Sequence, residues 1–107
     1  MAEYILSKSA KADLKTIYRF GYKRFGELQA ERYYDGLIAC FGKIAKNPLQ
    51  FQRVPEVGSG YHRCVYISES IYYRLVNNRV EIMAIIGKQD TTTRLQHYIT
   101  GFTTTNP

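Results

Sequence analysis

Apolar residues in the first half of the chain recur with the period of an α-helix. A short apolar stretch, EYIL at residues 3–6, comes first and predicts a strand. Two segments then carry apolar residues at steps of three and four, which indicates one apolar face on each of two helices. The apolar positions are Leu14, Ile17, Tyr18, Gly21 and Phe25 in the first helix, and Ala30, Tyr33, Tyr34, Leu37, Phe41 and Ile44 in the second.

Cap and turn residues bound these two helices. Ser7-Lys8-Ser9 is a helix-start signal, Gly26 separates the two periodic segments, and Asn47-Pro48 follows the second. A residue that precedes proline avoids helical geometry, so the second helix should end there. Two helices joined by one glycine-bearing turn should pack side by side as an antiparallel hairpin.

The second half of the chain changes to strand patterns. Residues 49–60 are loop-like and contain one proline and two glycines. Three strand-like runs follow, at residues 61–68, 71–76 and 79–87. Turn residues at 68–70 and 77–78 separate the runs, and the asparagines at 77–78 tolerate the positive φ of tight hairpins. The order β-α-α-β-β-β predicts an α+β fold, with an N-terminal strand and a helical hairpin packed on one face of a small antiparallel sheet.

The strands carry more apolar surface than one helical hairpin can cover. Consecutive apolar residues fill 65–67, 71–73 and 82–86, whereas a sheet with one wet face alternates apolar and polar residues. We expect the C-terminal tail, a second copy of the chain or a partner chain to cover the surplus. Residues 1–95 are predicted to form a single domain, and residues 96–107 a partly flexible tail with little periodicity.

Composition indicates the cellular compartment and argues against several kinds of functional site. No run approaches the ~18 uninterrupted apolar residues of a membrane span, and the N-terminus has an early acid, unlike a signal peptide. We therefore expect a cytoplasmic protein without membrane contact. Cys40 and Cys64 lack metal-ligand spacing and are expected to be free thiols there. No glycine-rich phosphate loop, metal cluster or serine triad is present, so we predict no cofactor and no metal.

The net charge of +6 permits an acidic partner, which could be nucleic acid, a nucleic-acid enzyme or an acidic protein. Lys11, Lys15, Arg19 and Lys23 fall on the polar side of the first helix, and the simplest interpretation is a solvated face. His62 neighbours Arg63 in a strand and should point to the opposite face, as a structural or partner-contacting residue. His97 lies in the tail, where solvent exposure is the simplest interpretation.

Taken together in order and spacing, several stretches resemble the ParE/RelE toxin superfamily, and the similarity spans about residues 3–95. They are AKADL (10–14), Tyr33-Tyr34 with Leu37, NP (47–48), GYHRCVY (60–66), IYYRLV (71–76) and VEIMAII (80–86). The resemblance is closest to the ParE branch, with Tyr72-Tyr73-Arg74 at the position of its FYR strand motif. It implies the RelE/ParE-like fold predicted above.

The branches of the superfamily act by different chemistry. They are distinguished by the residues that directly follow the last strand, which we call the exit residues. RelE-like members cleave messenger RNA on the ribosome with basic residues and a tyrosine, typically GKR followed by that tyrosine. This chain keeps Gly87-Lys88 but has Gln89 and Leu95 at the other two positions. Neither an amide nor an alkyl side chain supplies the charge and proton that RNA cleavage needs. The resemblance therefore implies a ParE-type toxin that is not an enzyme.

A ParE-type toxin would bind DNA gyrase, stabilise its cleaved-DNA complex and be neutralised by a ParD-like antitoxin in a hetero-oligomer. Direct sequence-specific binding to nucleic acid is not expected. The residues predicted to contact gyrase are Lys88, Gln89, Asp90 and Arg94, although the exit is one residue shorter than in many ParE proteins. The residues predicted to contact the antitoxin or another partner are Arg63, Arg74, Tyr66 and Tyr72; both arginines could instead pair with Glu69 or Glu81.

Two alternatives stay open at this point. One is a RelE-like, ribosome-dependent ribonuclease that retains Arg63, Lys88 and Tyr98. The other is a non-toxic remnant that still binds an antitoxin, which the shortened exit motif favours.

Overall fold

The computed structural model describes residues 3–87, which form a helical hairpin packed on a five-stranded mixed sheet. In chain order the elements are β1 Tyr4–Leu6, α1 Lys8–Phe25, α2 Glu27–Lys46, a 3-10 turn at Pro48–Gln50, β2 Gln52–Arg53, β3 Tyr61–Tyr66, β4 Glu69–Val76 and β5 Arg79–Gly87. The strand order is β1-β5-β4-β3-β2. The predicted α+β fold is confirmed. Among residues 3–87 no helix is long and apolar enough to cross a membrane.

The sheet differs from the prediction in two details. β1 runs parallel to β5, while the other neighbouring strands are antiparallel. The short strand β2, within the segment predicted as a loop, pairs with β3. The parallel pairing joins distant parts of the chain, because the helical hairpin carries the chain from the β1 edge of the sheet to the opposite edge before β2 begins.

Local sequence explains the helical boundaries. The Ser7 side chain caps α1 by accepting a hydrogen bond from the Ala10 N–H at 3.0 Å. Gly26 lies between the helices with φ 92°, a backbone conformation that residues with a side chain rarely adopt. A Cβ atom on Gly21 would lie 3.7 Å from the Ala30 Cβ, so the two helices approach closely beside this turn.

The inner face of the sheet, which faces the helices, holds the main core. Its fully buried residues from the helices include Ala10, Leu37, Phe41 and Ile44, and those from the strands include Ile71, Tyr73, Val80, Ile82 and Ile85. The end of the hairpin near Gly26 is different. Phe25 is 61% exposed and Tyr34 is 37% exposed, although the periodic pattern assigned both to apolar faces. At this end the two helices pack on each other, with the ring centroids of Tyr18 and Tyr34 6.0 Å apart.

A β-bulge explains why residues 82–86 are all apolar. Tyr73 pairs with Ile82 but Tyr72 pairs with Ala84, which leaves Met83 as an extra residue in β5. The extra residue shifts the alternation of side chains. Ile82 and Ile85 therefore join the inner core, while Ala84 and Ile86 belong to a second buried cluster on the outer face.

Two side chains near the start of α1 bond to the β5 backbone at and just beyond the bulge, where the pairing of β5 with β1 has ended at Ile82. The Ser7 hydroxyl donates to the Met83 carbonyl at 2.9 Å, and the Ser7 N–H donates to the Ile82 carbonyl at 3.0 Å. The Ile85 N–H donates to Oδ2 of the buried Asp13 at 2.9 Å. The start of α1 is thus bonded directly to the bulge in β5.

The outer face is covered in part by the loop of the same chain that precedes β3. Val54 and Val57 from that loop pack with Tyr61, Tyr72, Ala84 and Ile86. The sequence-based expectation of a tail, a second copy or a partner missed this cover, because valines in a proline- and glycine-bearing loop carry no periodic signal.

Of the two tight turns that join the antiparallel strands β3, β4 and β5, only the β4–β5 turn lies where the sequence predicts it. Asn77 and Asn78 have φ of 52° and 62°, as predicted for the β4–β5 turn. The β3–β4 turn was predicted at residues 68–70, but Tyr66 pairs with Glu69, so the turn consists of Ile67 and Ser68. The single-domain boundary at residue 95 and the tail lie beyond the described residues and stay predictions.

Replacing Asp13 should destabilise the fold because Asp13 accepts a hydrogen bond from a buried backbone N–H. We expect Asp13→Ala to lower the free energy of unfolding by about 1–3 kcal/mol, the usual cost of a buried donor left without an acceptor. Asp13→Asn keeps a carbonyl oxygen and should lose less. Urea unfolding measures the difference, with the exposed Asp35→Ala in α2 as the control. Equal midpoints for Asp13→Ala and Asp35→Ala would contradict this role for Asp13.

Candidate functional site

The predicted gyrase-contacting residues follow β5 directly in the chain. Lys88, Gln89, Asp90 and Arg94 lie outside the described residues, so their role stays a prediction, as it does for Tyr98 in the ribonuclease alternative. The structure does describe the strand that leads to them. Gly87, the last residue of β5, pairs with Glu69 at the start of β4. The β3–β4 turn therefore lies beside the point where the chain continues to Lys88.

The two arginines predicted to contact a partner lie on the outer face and bond to neighbouring side chains. Arg63 donates to the Gln52 side-chain oxygen at 3.0 Å. Its Nε is buried and has no hydrogen-bond partner within residues 3–87. Arg74 donates to Glu81 at 2.7 Å, and this bond is the main cause that raises the pKa of Arg74. Of the pairings considered from sequence, Arg74 forms the one with Glu81.

The two tyrosines predicted to contact the same partner lie on opposite faces. Tyr72 is 2% exposed and belongs to the outer cluster. Tyr66 faces the helices, with its ring centroid 5.2 Å from that of Tyr33. A Cβ on Gly36 would overlap the Tyr66 hydroxyl, so a larger residue at this position of α2 would displace the Tyr66 side chain. The four residues thus do not form one continuous surface, and their contact with a partner stays a prediction.

His62 is a buried structural residue. Its ring stacks on Tyr73 with the centroids 5.3 Å apart, and Nδ1 lies 3.2 Å from the Phe51 carbonyl oxygen. It faces the helices, as expected from alternation, whereas Arg63 faces outward. Burial raises the pKa of Tyr73, whose hydroxyl donates to the Pro48 carbonyl. The described residues therefore bring no histidine to Arg63, and they contain no group of His, Cys, Asp or Glu that could hold a metal.

An open groove of about 820 Å³ runs along α1. Its apolar and aromatic lining consists of Leu6, Leu14, Tyr18, Tyr22 and Tyr34, and its basic lining of Lys11, Lys15, Arg19 and Lys23. Sequence reasoning had assigned those four cations to a solvated face. The groove was missed because Leu6 in β1 and Tyr34 in α2 reach it only through the tertiary fold.

Charge is distributed unequally between the two helices. Six cations lie in α1, at positions 8, 11, 15, 19, 23 and 24, and its single acid, Asp13, is buried. In α2 three acids, at 27, 31 and 35, balance three cations, at 32, 43 and 46. Like charges four residues apart repel each other on a helix surface. An acidic ligand along α1 would relieve that repulsion.

A hydroxyl group of α2 holds the β3–β4 turn. Tyr33 accepts a hydrogen bond from the Ser68 N–H at 3.4 Å and donates one to Glu69 Oε2 at 3.3 Å. Burial, and next the nearby negative charge of Glu69, raise the pKa of Tyr33 to about 12. Sequence analysis had treated Tyr33 only as part of an apolar helical face. Its polar role depends on the position of the turn, which begins one residue earlier than predicted.

Comparison with known proteins defines the class of protein to which this fold and these surfaces belong. A family model described as ParE toxin of type II toxin-antitoxin system, parDE, matches residues 4–91. In the solved chromosomal ParDE toxin–antitoxin system from P. aeruginosa, one chain superposes with a TM-score of 0.71 at 18% identity, covering 81% of this chain and 96% of that chain. The fold is thus shared with a chain of a ParDE system.

Curated relatives lead to the same family. Toxin ParE1 of Caulobacter vibrioides is 38% identical over 86 residues, which cover 80% of this chain and 88% of the relative. Toxin ParE1 of Mycobacterium tuberculosis is 32% identical over 89 residues, covering 82% and 91%. This chain belongs to the ParE toxin family of type II toxin–antitoxin systems. The resemblance to the ParE branch is therefore confirmed.

The Tyr33 hydroxyl should make stability depend on alkaline pH. We expect Tyr33→Phe to lower the free energy of unfolding at pH 8 by about 0.5–1.5 kcal/mol, a typical net value for lost hydrogen bonds. The Tyr33 pKa of about 12 exceeds the ordinary value of 10.0. The phenol is protonated in both states below pH 10, whereas between pH 10 and 12 the unfolded chain ionises first. The wild type should therefore lose stability over that range relative to Tyr33→Phe.

Urea unfolding at a series of pH values from 8 to 11 measures this difference. The exposed Tyr22→Phe in α1 is the matched control and should follow the wild type at every pH. A constant gap between wild type and Tyr33→Phe up to pH 11 would contradict the shifted ionisation of Tyr33.

Proposed function

We propose that this ParE-family toxin acts by binding DNA gyrase and stabilising its cleaved-DNA complex, rather than by catalysis. The observation that carries the proposal is the outer face around Arg63, where the arginine bonds to Gln52 and its cross-strand neighbour Tyr72 is buried. RNA cleavage needs a group that removes a proton from the 2′-hydroxyl, charge to stabilise the phosphorane, and a donor for the leaving oxygen. Because residues 3–87 bring no such set of groups together at Arg63, we infer that the toxin acts through contacts with its target.

Three further features support binding over cleavage. Arg74 is neutralised by Glu81, and His62 is buried on the opposite face, so neither assists Arg63. Gln89 and Leu95 stand where the RelE-like nucleases carry an arginine and a tyrosine. These differences argue against the ribonuclease alternative. We also infer a cytoplasmic site of action, since gyrase and its DNA are there.

The neutralising partner is proposed to be a ParD-like antitoxin with an acidic, amphipathic segment along the α1 groove. The apolar lining from Leu14 to Tyr34 would take the apolar side of such a segment, and the cations at its border would meet acidic residues. Charge complementarity of this kind contributes to both association rate and specificity. The one-sided charge of α1, compared with the balanced α2, supports the assignment.

A gyrase cleavage assay tests the target directly. Purified toxin added to gyrase, ATP and supercoiled plasmid should raise the amount of linear DNA released by denaturant several-fold. If the exit residues contact gyrase, Lys88→Ala with Asp90→Ala should reduce that rise and relieve growth arrest. The double variant Lys46→Ala with Asp35→Ala in α2 removes the same charges from exposed positions and should act as wild type.

Each negative outcome of this assay has a distinct meaning. Unchanged linear DNA at excess toxin refutes gyrase as the target. Cleavage of messenger RNA on programmed ribosomes would instead support the ribonuclease alternative. Antitoxin binding without growth arrest would identify a non-toxic remnant. Full activity of the Lys88/Asp90 variant would exclude these two residues from the contact with gyrase.

Reversing charge along the groove should weaken antitoxin binding. We expect Lys15→Glu with Arg19→Glu to raise the Kd for the cognate antitoxin about tenfold or more, because two attractions become repulsions. The effect should shrink as salt rises from 50 to 500 mM, since salt screens exposed charges. Calorimetry measures the affinity, with Lys43→Glu and Lys46→Glu in α2 as the control pair. Equal losses for both pairs would reject the groove as the antitoxin site.

A further inference from the structure

The β3–β4 turn combines two unfavourable features at a single residue. Ile67 has φ 52°, in the left-handed region that β-branched residues avoid. Its side chain is nevertheless 68% exposed, so no burial of this side chain within residues 3–87 compensates for the strained backbone. Val65, two residues earlier in β3, is 58% exposed. The turn therefore presents apolar side chains to solvent from a strained backbone.

The other tight turn of the same sheet provides an internal comparison. Asn77 and Asn78 adopt φ of 52° and 62° in the β4–β5 turn. Asparagine tolerates this region because its short polar side chain bonds locally, and glycine tolerates it because it has no Cβ. The chain thus uses favourable residues at one left-handed turn and an isoleucine at the other. Local backbone preference does not explain Ile67.

Contacts on both sides of Ile67 keep the turn in this conformation. Tyr66, the preceding residue, packs against Gly36 and the Tyr33 ring. After Ile67, the Ser68 N–H donates to the Tyr33 hydroxyl, which itself donates to Glu69. Strained residues persist where surrounding contacts determine their conformation, and they occur preferentially at functional sites. The turn is therefore rigid enough to present one apolar side chain in a defined position.

We propose that Ile67, with Val65 beside it, is an apolar anchor that inserts into a pocket of the target protein, which the proposed function identifies as DNA gyrase. The inference rests on that proposed function for the identity of the target. Rigid apolar side chains that enter a partner's pocket dominate the energy of many protein interfaces. Presentation from a fixed turn also reduces the conformational entropy lost on binding.

The observations favour the target over the antitoxin as the occupant. The groove proposed for the antitoxin is lined by α1, Leu6 and Tyr34, and it includes no residue of the β3–β4 turn. The turn also lacks the cations that an acidic segment would need. Glu69 pairs with Gly87, so the turn lies where the chain leaves β5 toward the predicted gyrase-contacting residues.

The single substitution Ile67→Asn should raise stability and lower toxicity, so it distinguishes a binding role of Ile67 from a structural one. Asparagine relieves the backbone strain, so the melting temperature should rise by about 4 °C or more. Loss of the apolar side chain should reduce gyrase-dependent DNA cleavage and growth arrest at least tenfold, while antitoxin affinity stays unchanged. Ile67→Leu keeps an apolar side chain and should retain most activity. Leu49→Asn, which changes a leucine that is 71% exposed on the 3-10 turn, is the matched control and should remain fully toxic.

Each outcome decides for or against the anchor. Full growth arrest by Ile67→Asn overturns it, as does loss of antitoxin binding, which would assign the turn to the antitoxin. A lower melting temperature with lost activity also overturns it, because Ile67 would then be structural. If wild-type toxin leaves gyrase cleavage unchanged but Ile67→Asn is more stable and still relieves growth arrest, the anchor holds for a different target protein and only gyrase is rejected.

Discussion

The bond between the start of α1 and the bulge in β5 is the constraint on which the arrangement of surfaces depends. Met83 is the extra residue of the bulge, and the side chains of Ser7 and Asp13 bond to the Met83 carbonyl and the Ile85 N–H, beyond the end of the pairing between β1 and β5. Ser7 also caps α1, so the same hydroxyl begins the helix and attaches it to the sheet. This attachment directs the apolar side of α1 inward, and its row of cations consequently faces outward.

Separate surfaces of the toxin then suit separate partners. The basic, aromatic groove along α1 is chemically complementary to an acidic amphipathic antitoxin. The outer face of the sheet is closed in part by Val54 and Val57, and its arginines bond to Gln52 and Glu81. The proposed action by binding is compatible with such a division of surfaces.

Membership of the ParE family does not explain the strained backbone of the β3–β4 turn. The strain therefore supports a functional role of this turn independently. The same sheet has asparagines at one left-handed turn and Ile67 at the other. Tyr33 links the second turn to α2, so its conformation depends on the packing of the helical hairpin. A substitution that improves folding and impairs action would distinguish a residue kept for binding from one kept for stability.

The sequence by itself determined the order of elements, the helical boundaries at Ser7, Gly26 and Asn47, and the ParE resemblance, because caps, periodicity and ordered motifs are local signals. The tertiary structure alone decided the parallel pairing of β1, the bulge at Met83 and the α1 groove. It also decided that Tyr33 supports a strained turn. Each of these features joins residues from different elements of the fold, and the hydrophobic periodicity of one element does not indicate which groups of another element a side chain will meet.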